Sequence, residues 1–152
     1  MISLPLLALW LHVVGVVVWI GGVMYQAHVL GPAARRGDTA LFAEAARRAR
    51  PVAWTAVALV VLTGFYNVTR LGPLERVMES GAGLVLAGKF VLVIVAVALA
   101  AQRDFALVPR LRRVLAAGGD AAPVLRAMAW LDRVTLLLAL AIVYLGLALA
   151  RA

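Results

Sequence analysis

The chain has 152 residues, of which 65% are hydrophobic and 14% charged, with no cysteine and a formal net charge of +8. Ordinary soluble domains are about 45–50% apolar and about 25% charged, so this composition excludes a water-soluble globule, while its ample apolar area excludes disorder. The missing cysteines exclude disulfides and thiolate chemistry, and basic residues placed in loops, without interleaved aromatics on one face, exclude nucleic acid as a partner.

A helix crossing a bilayer takes roughly 20 apolar residues. The first run, Leu4 to Leu30, has no basic residue before it, and its length argues against a cleaved signal peptide. The loop that follows includes Thr39 to Ala49, which reads as a short amphipathic helix lying on the membrane. The second run begins at Pro51, a residue suited to a helix start, and ends near Thr69. The third runs from Gly81 to Leu107 and the fourth from about Ala127 to Ala150. Lipid offers the backbone no hydrogen-bond partner, so each run is expected to be helical. The spans, about 4–30, 51–69, 81–107 and 127–150, predict an all-α protein in one domain, an integral membrane four-helix up-down antiparallel bundle with membrane lipid around it. The loops after spans one and three carry ten arginines (Arg35, Arg36, Arg47, Arg48, Arg50, Arg103, Arg110, Arg112, Arg113, Arg126), against Arg70, Arg76 and Arg151 on the opposite side, where Glu75 and Glu79 offset them. That bias places both loops in the cytoplasm and both termini outside a cell (inner) membrane.

Ionisable residues at membrane depth are costly and therefore informative. Helical rise sets His12, Asn67, Lys89 and Tyr144 in the outer half, each about 6–9 Å from the midplane, and gathers His28, Gln102, Arg103, Asp104, Asp132 and Arg133 in the inner half. His12, Gly15, Trp19, Gly22 and Gln26 form one stripe facing the bundle interior. A glycine one turn from an imidazole leaves the flat space a porphyrin needs; small residues at this spacing also serve helix packing in lipid. Lys89, the only lysine, either snorkels to the interface or, if buried, can act as a neutral amine that shares a site with His12. In the inner half, Asp132 with Arg133 and Arg103 with Asp104 can form a charge network that fixes helix register. Met24 and His28 stand one turn apart, with Met128 on the fourth helix, and thioether plus imidazole suits Cu(I). No nucleophile constellation, phosphate loop or carboxylate pair supports a hydrolase, and no catalytic residue can be assigned.

The stretches LHVVGVVVWIGGVMYQAHVLGPAARR (Leu11 to Arg36) and GKFVLVIVAVALAAQRDFALVPRLRR (Gly88 to Arg113) resemble helices of the copper resistance D (CopD) family, carried most specifically by His12, Trp19, Gly22, Lys89, Pro109 and Arg110. The chain is also distantly similar to the HemJ-type protoporphyrinogen oxidases, although IGGVMYQAHVLGPAARR replaces that family's pattern after the first-helix tryptophan. The HemJ resemblance implies that His12 and Lys89 occupy positions linked to haem binding. On this basis the expected function is a membrane protein binding haem b in its outer half, with a redox role towards quinone or a tetrapyrrole. His12 and Lys89 would hold the iron, Gly15 would give the macrocycle clearance, and Trp19, Asn67 and Tyr144 would line it. Arg70 or Arg76 would pair with propionates. The alternatives are a copper-binding or copper-import module of the CopD type, using His12, Met24, His28 and Met128, and a cofactor-free structural protein. A homodimer is expected in each case.

Overall fold

In the computed structural model, described for residues 3–70, 72, 75, 76 and 81–149 with the side chains of 81 and 82 excepted, every long element is a helix. Four are long and apolar enough to cross a membrane: α1, Leu4–Arg35; α2, Thr39–Thr69; α3, Gly83–Ala116; and α4, Ala122–Leu149. Glu79, Ala150 and Arg151 lie outside the described residues. The turns joining α1 to α2 and α3 to α4 are short, which forces antiparallel neighbours. Both rely on glycine at positive φ, 129° at Gly37 and 65° at Gly118, where a side chain would be strained. Asp120 Oδ1 accepts from the Ala122 amide at 2.9 Å and so satisfies a free donor at the start of α4.

The helices run past the expected ends. Thr39 to Ala49 is the first part of α2, not a separate surface helix, and Pro51 lies inside that helix. α1 continues to Arg35, α3 continues through Pro109 to Ala116, and α4 starts at Ala122 rather than near Ala127. The two proline crossings share one device. A π-helical turn, Gln26–Leu30 in α1 and Gln102–Leu107 in α3, ends two residues before Pro32 and Pro109 respectively. A proline lacks its N–H and clashes with the carbonyl four residues back. The widened turn moves the preceding amides to carbonyls five residues back, Gly31 to Gln26 and Val108 to Arg103, and the helix goes on.

α1 packs chiefly on α2 and α3 chiefly on α4, with fewer contacts between the pairs. The pairs are related by an offset of 77 residues: Val14, Val16 and Val18 in α1 answer Val91, Val93 and Val95 in α3, and Leu30, Pro32, Arg35 and Arg36 answer Leu107, Pro109, Arg112 and Arg113. Equivalent residues share layers of the core. Ala34 and Leu111 lie in one buried cluster beside the two short turns, with Phe42, Val108, Leu125 and Met128. Trp19 and Ala96 lie in a second cluster farther along the bundle, with Ala56 and Val57. The fold is thus two helical hairpins whose first helices, α1 and α3, are equivalents under this offset.

Candidate functional site

Two polar layers interrupt this apolar stack. The first is built on His12, half-buried on α1. Its Nδ1 lies 3.0 Å from the Val60 carbonyl oxygen and 3.0 Å from Thr63 Oγ1, both on α2. A carbonyl can only accept, so Nδ1 carries the proton. The Thr63 hydroxyl donates to the Leu59 carbonyl at 2.5 Å and turns a lone pair to the imidazole. Nε2 has no hydrogen-bond partner among the described residues. An imidazole held by its Nδ1–H with Nε2 unengaged is in the tautomer and orientation of a metal-ligating histidine. Gly64 permits this placement, since a Cβ there would come within 3.3 Å of His12 Cε1.

Lys89 is the equivalent of His12 under the 77-residue offset. It is half-buried on α3 and lies against Gly146 of α4, where a Cβ would meet Nζ at 3.2 Å. Each hairpin therefore turns one nitrogen-bearing side chain against a glycine of its partner helix.

The other residues expected around a macrocycle are employed differently. The space beside Gly15 is filled by α2: a Cβ there would lie 2.8 Å from Val60 Cγ2 and 3.2 Å from the Ala56 carbonyl oxygen. Gly15 is thus a helix-crossing glycine, and the clearance expected for a flat ring does not exist there. Trp19 is buried against Ala56, Val57 and Ala96. Tyr144 is 71% exposed and faces away from the bundle. Asn67 is half-buried near the end of α2, while Arg70 and Arg76 are exposed. The alternative copper set does not face one way. Met24 and His28 border an open surface depression with Gly21, Tyr25 and Val29, and His28 Nδ1 donates to the Met24 carbonyl at 3.1 Å. Met128, by contrast, is buried in the cluster near the short turns. Among the described residues no group of three or more histidine or acidic side chains is placed to hold a metal ion.

The second polar layer lies at the two π turns. Arg103, 6% exposed, donates from Nη1 to Asp104 Oδ1 at 2.8 Å and from Nη2 to Gln26 Oε1, and its Nε stands 2.5 Å from Asp132 Oδ1. Asp104 Oδ2 accepts from Trp54 Nε1 at 3.0 Å, and the Asp104 carbonyl accepts from Arg50 at 2.8 Å. Gln26 and Arg103 are again equivalents under the 77-residue offset, here in direct contact. The expected charge network thus exists: Arg103 pairs with Asp104 as expected, while Arg133 is exposed and Asp132 pairs with Arg103 instead. Trp54 and Arg50 escaped the sequence reading, which counted Arg50 only as a loop charge.

A family model described as copper resistance protein D matches residues 43–149. That range covers most of α2 and all of α3 and α4, with Lys89, Arg103, Asp104 and Asp132, and begins after His12 and Gln26. No curated protein and no solved structure matches the chain. A match over more than half of the chain, on four helices each able to span a bilayer, makes this chain a member of the copper resistance protein D family and a multi-pass membrane protein.

Proposed function

We propose that the chain handles copper as cargo at the His12 layer, with His12 Nε2 as the primary donor and Lys89, in its amine form, as the second. The observation that carries this is the His12 imidazole, whose Nδ1–H is engaged by Val60 and Thr63 and whose Nε2 is left for a ligand. Imidazole is a good copper donor, and the family's description supplies the choice of metal. A site with one or two donors binds weakly compared with a closed four-ligand cage, which suits an ion that has to leave again. The residues fit an ion better than haem b, since the volume beside Gly15 is occupied by α2 and Trp19 by the core. By the distribution of basic residues, the short turns face the cytoplasm of a cell (inner) membrane and the His12 layer lies in the outer half.

The test is Cu(I) loading of the purified protein in lipid nanodiscs under reducing conditions, with metal analysis and competition against a Cu(I) chelator. Stoichiometric binding that weakens at least tenfold in His12→Ala, and less in Lys89→Met, supports the proposal. Equal binding by His12→Ala and parent overturns it. A Soret band that shifts on reduction and disappears in His12→Ala would overturn the copper reading in favour of haem b.

A further inference from the structure

The Arg103 layer lies between the two apolar clusters and away from His12, and copper handling at His12 gives it no task. Its formal charges are unequal. Arg103 is 6% exposed, Asp104 7% and Asp132 3%, so one buried cation faces two buried carboxylates. The neighbours on every helix define how that imbalance is met. From α1 comes only neutral Gln26, since His28 is turned outward. From α2 comes Arg50, which reaches the Asp104 carbonyl, not a carboxylate, and stacks over Phe105 with its guanidinium 5.2 Å from the ring centroid. From α4 comes Asp132, while Arg133 beside it is exposed.

The two carboxylates are held differently. Asp104 has an N–H on each oxygen, from Arg103 and from Trp54, so both of its oxygens are partnered. Asp132 has Oδ1 against Arg103 Nε, and among the described residues no donor reaches its second oxygen. In a low-dielectric interior the carboxylate with the fewer donors on its oxygens is the one that exchanges a proton.

We infer that Asp132 is a proton-binding site that latches α4 to the rest of the bundle. One proton, taken from water on the side of the short turns, bonds to an Asp132 carboxylate oxygen. The resulting neutral carboxyl gives up its ion pair with Arg103. Arg103 keeps Asp104 and Gln26, so α1 and α3 stay joined, and α4 loses its only charged tie to this layer among the described residues. The inference does not depend on which metal His12 takes.

Infrared difference spectroscopy of the protein in nanodiscs, titrated with pH, tests it. A protonated-carboxyl C=O band that disappears on alkalinisation is expected in the parent, absent from Asp132→Asn and displaced in Asp132→Glu. No titrating band, or one that survives in Asp132→Asn, overturns the inference. The latch has its own readout, because the chain has no cysteine. Met128, one turn before Asp132 and 1% exposed, becomes the sole thiol in Met128→Cys. At a fixed pH on the alkaline side of the infrared titration, where Asp132 is ionised in the parent, adding Asp132→Asn should speed maleimide labelling roughly tenfold, the change expected if local opening becomes about 1.4 kcal/mol easier. An unchanged rate refutes the latch.

Discussion

Substituting Gly15 by alanine tests the crossing of α1 on α2, on which the His12 geometry depends. The added methyl would stand 2.8 Å from Val60 Cγ2, 3.2 Å from the Ala56 carbonyl oxygen and 3.5 Å from the Val60 nitrogen. Carbon atoms prefer separations of about 3.5–4.0 Å, so α2 has to retreat by several tenths of an ångström. Val60 cannot swing aside cheaply, because a β-branched side chain in a helix has one strongly preferred rotamer, and the other two atoms are backbone. Overpacking of this kind costs about 1–3 kcal/mol. Alanine also returns helix propensity, about 1 kcal/mol, which would mask the penalty in a single measurement. Gly22→Ala supplies the reference, since a Cβ at Gly22 meets nothing within 4 Å. Denaturation in mixed micelles, followed by circular dichroism, should therefore find Gly15→Ala less stable than Gly22→Ala by about 1–3 kcal/mol. Equal stability of the two variants would refute the close crossing and, with it, the placement of His12 against Val60.

Thr63→Val removes the hydroxyl that shares the His12 Nδ1–H but leaves the Val60 carbonyl in place. Copper affinity measured by chelator competition should fall by about tenfold, the low end for an outer-shell partner. Trp54→Phe keeps a ring against Phe105, whose centroid lies 5.3 Å from that of Trp54, and deletes the N–H given to Asp104. Losing a hydrogen bond to a charged group costs about 1.5–3 kcal/mol, measurable in the same unfolding assay, with copper binding at His12 unchanged.

The four spans could be read directly from the sequence because lipid permits so few alternatives: an apolar run of sufficient length has to be a helix. The helix ends could not, for a reason local to the prolines. Pro51 read as a helix start, and the third span was expected to end just before Pro109, since proline suits the first turn of a helix and ordinarily stops one farther in. α1 and α3 instead absorb it with a π turn, and no hydrophobic periodicity announces a single widened turn. His12 was identified from its cost at membrane depth, and its Nδ1 partners give that choice a physical basis. Gly15 was a weaker inference: spacing alone cannot tell whether the space beside a glycine is left for a ligand or filled by the next helix, and here Val60 fills it. Trp54 was missed because an indole among aliphatic residues looks like packing until a buried carboxylate is found beside its N–H.

The chemistry of this chain is concentrated where its internal symmetry is broken. Layers that only pack keep apolar equivalents, Trp19 with Ala96 and Ala34 with Leu111, and differ in size alone. The two polar layers instead put unlike groups at equivalent positions. His12, whose ring keeps one nitrogen free, is the equivalent of Lys89, an aliphatic amine; Gln26, an acceptor, meets Arg103, a donor. Like residues would fail at the π turns. Two arginines at the π turns would repel in low dielectric, and two glutamines would leave Asp104 and Asp132 without a cation. An arginine against a glutamine closes the contact, and with it the two hairpins, at one point. The asymmetry at the His12 layer has the complementary effect: it leaves one nitrogen without a partner within the described residues, and that nitrogen is the one available to a ligand.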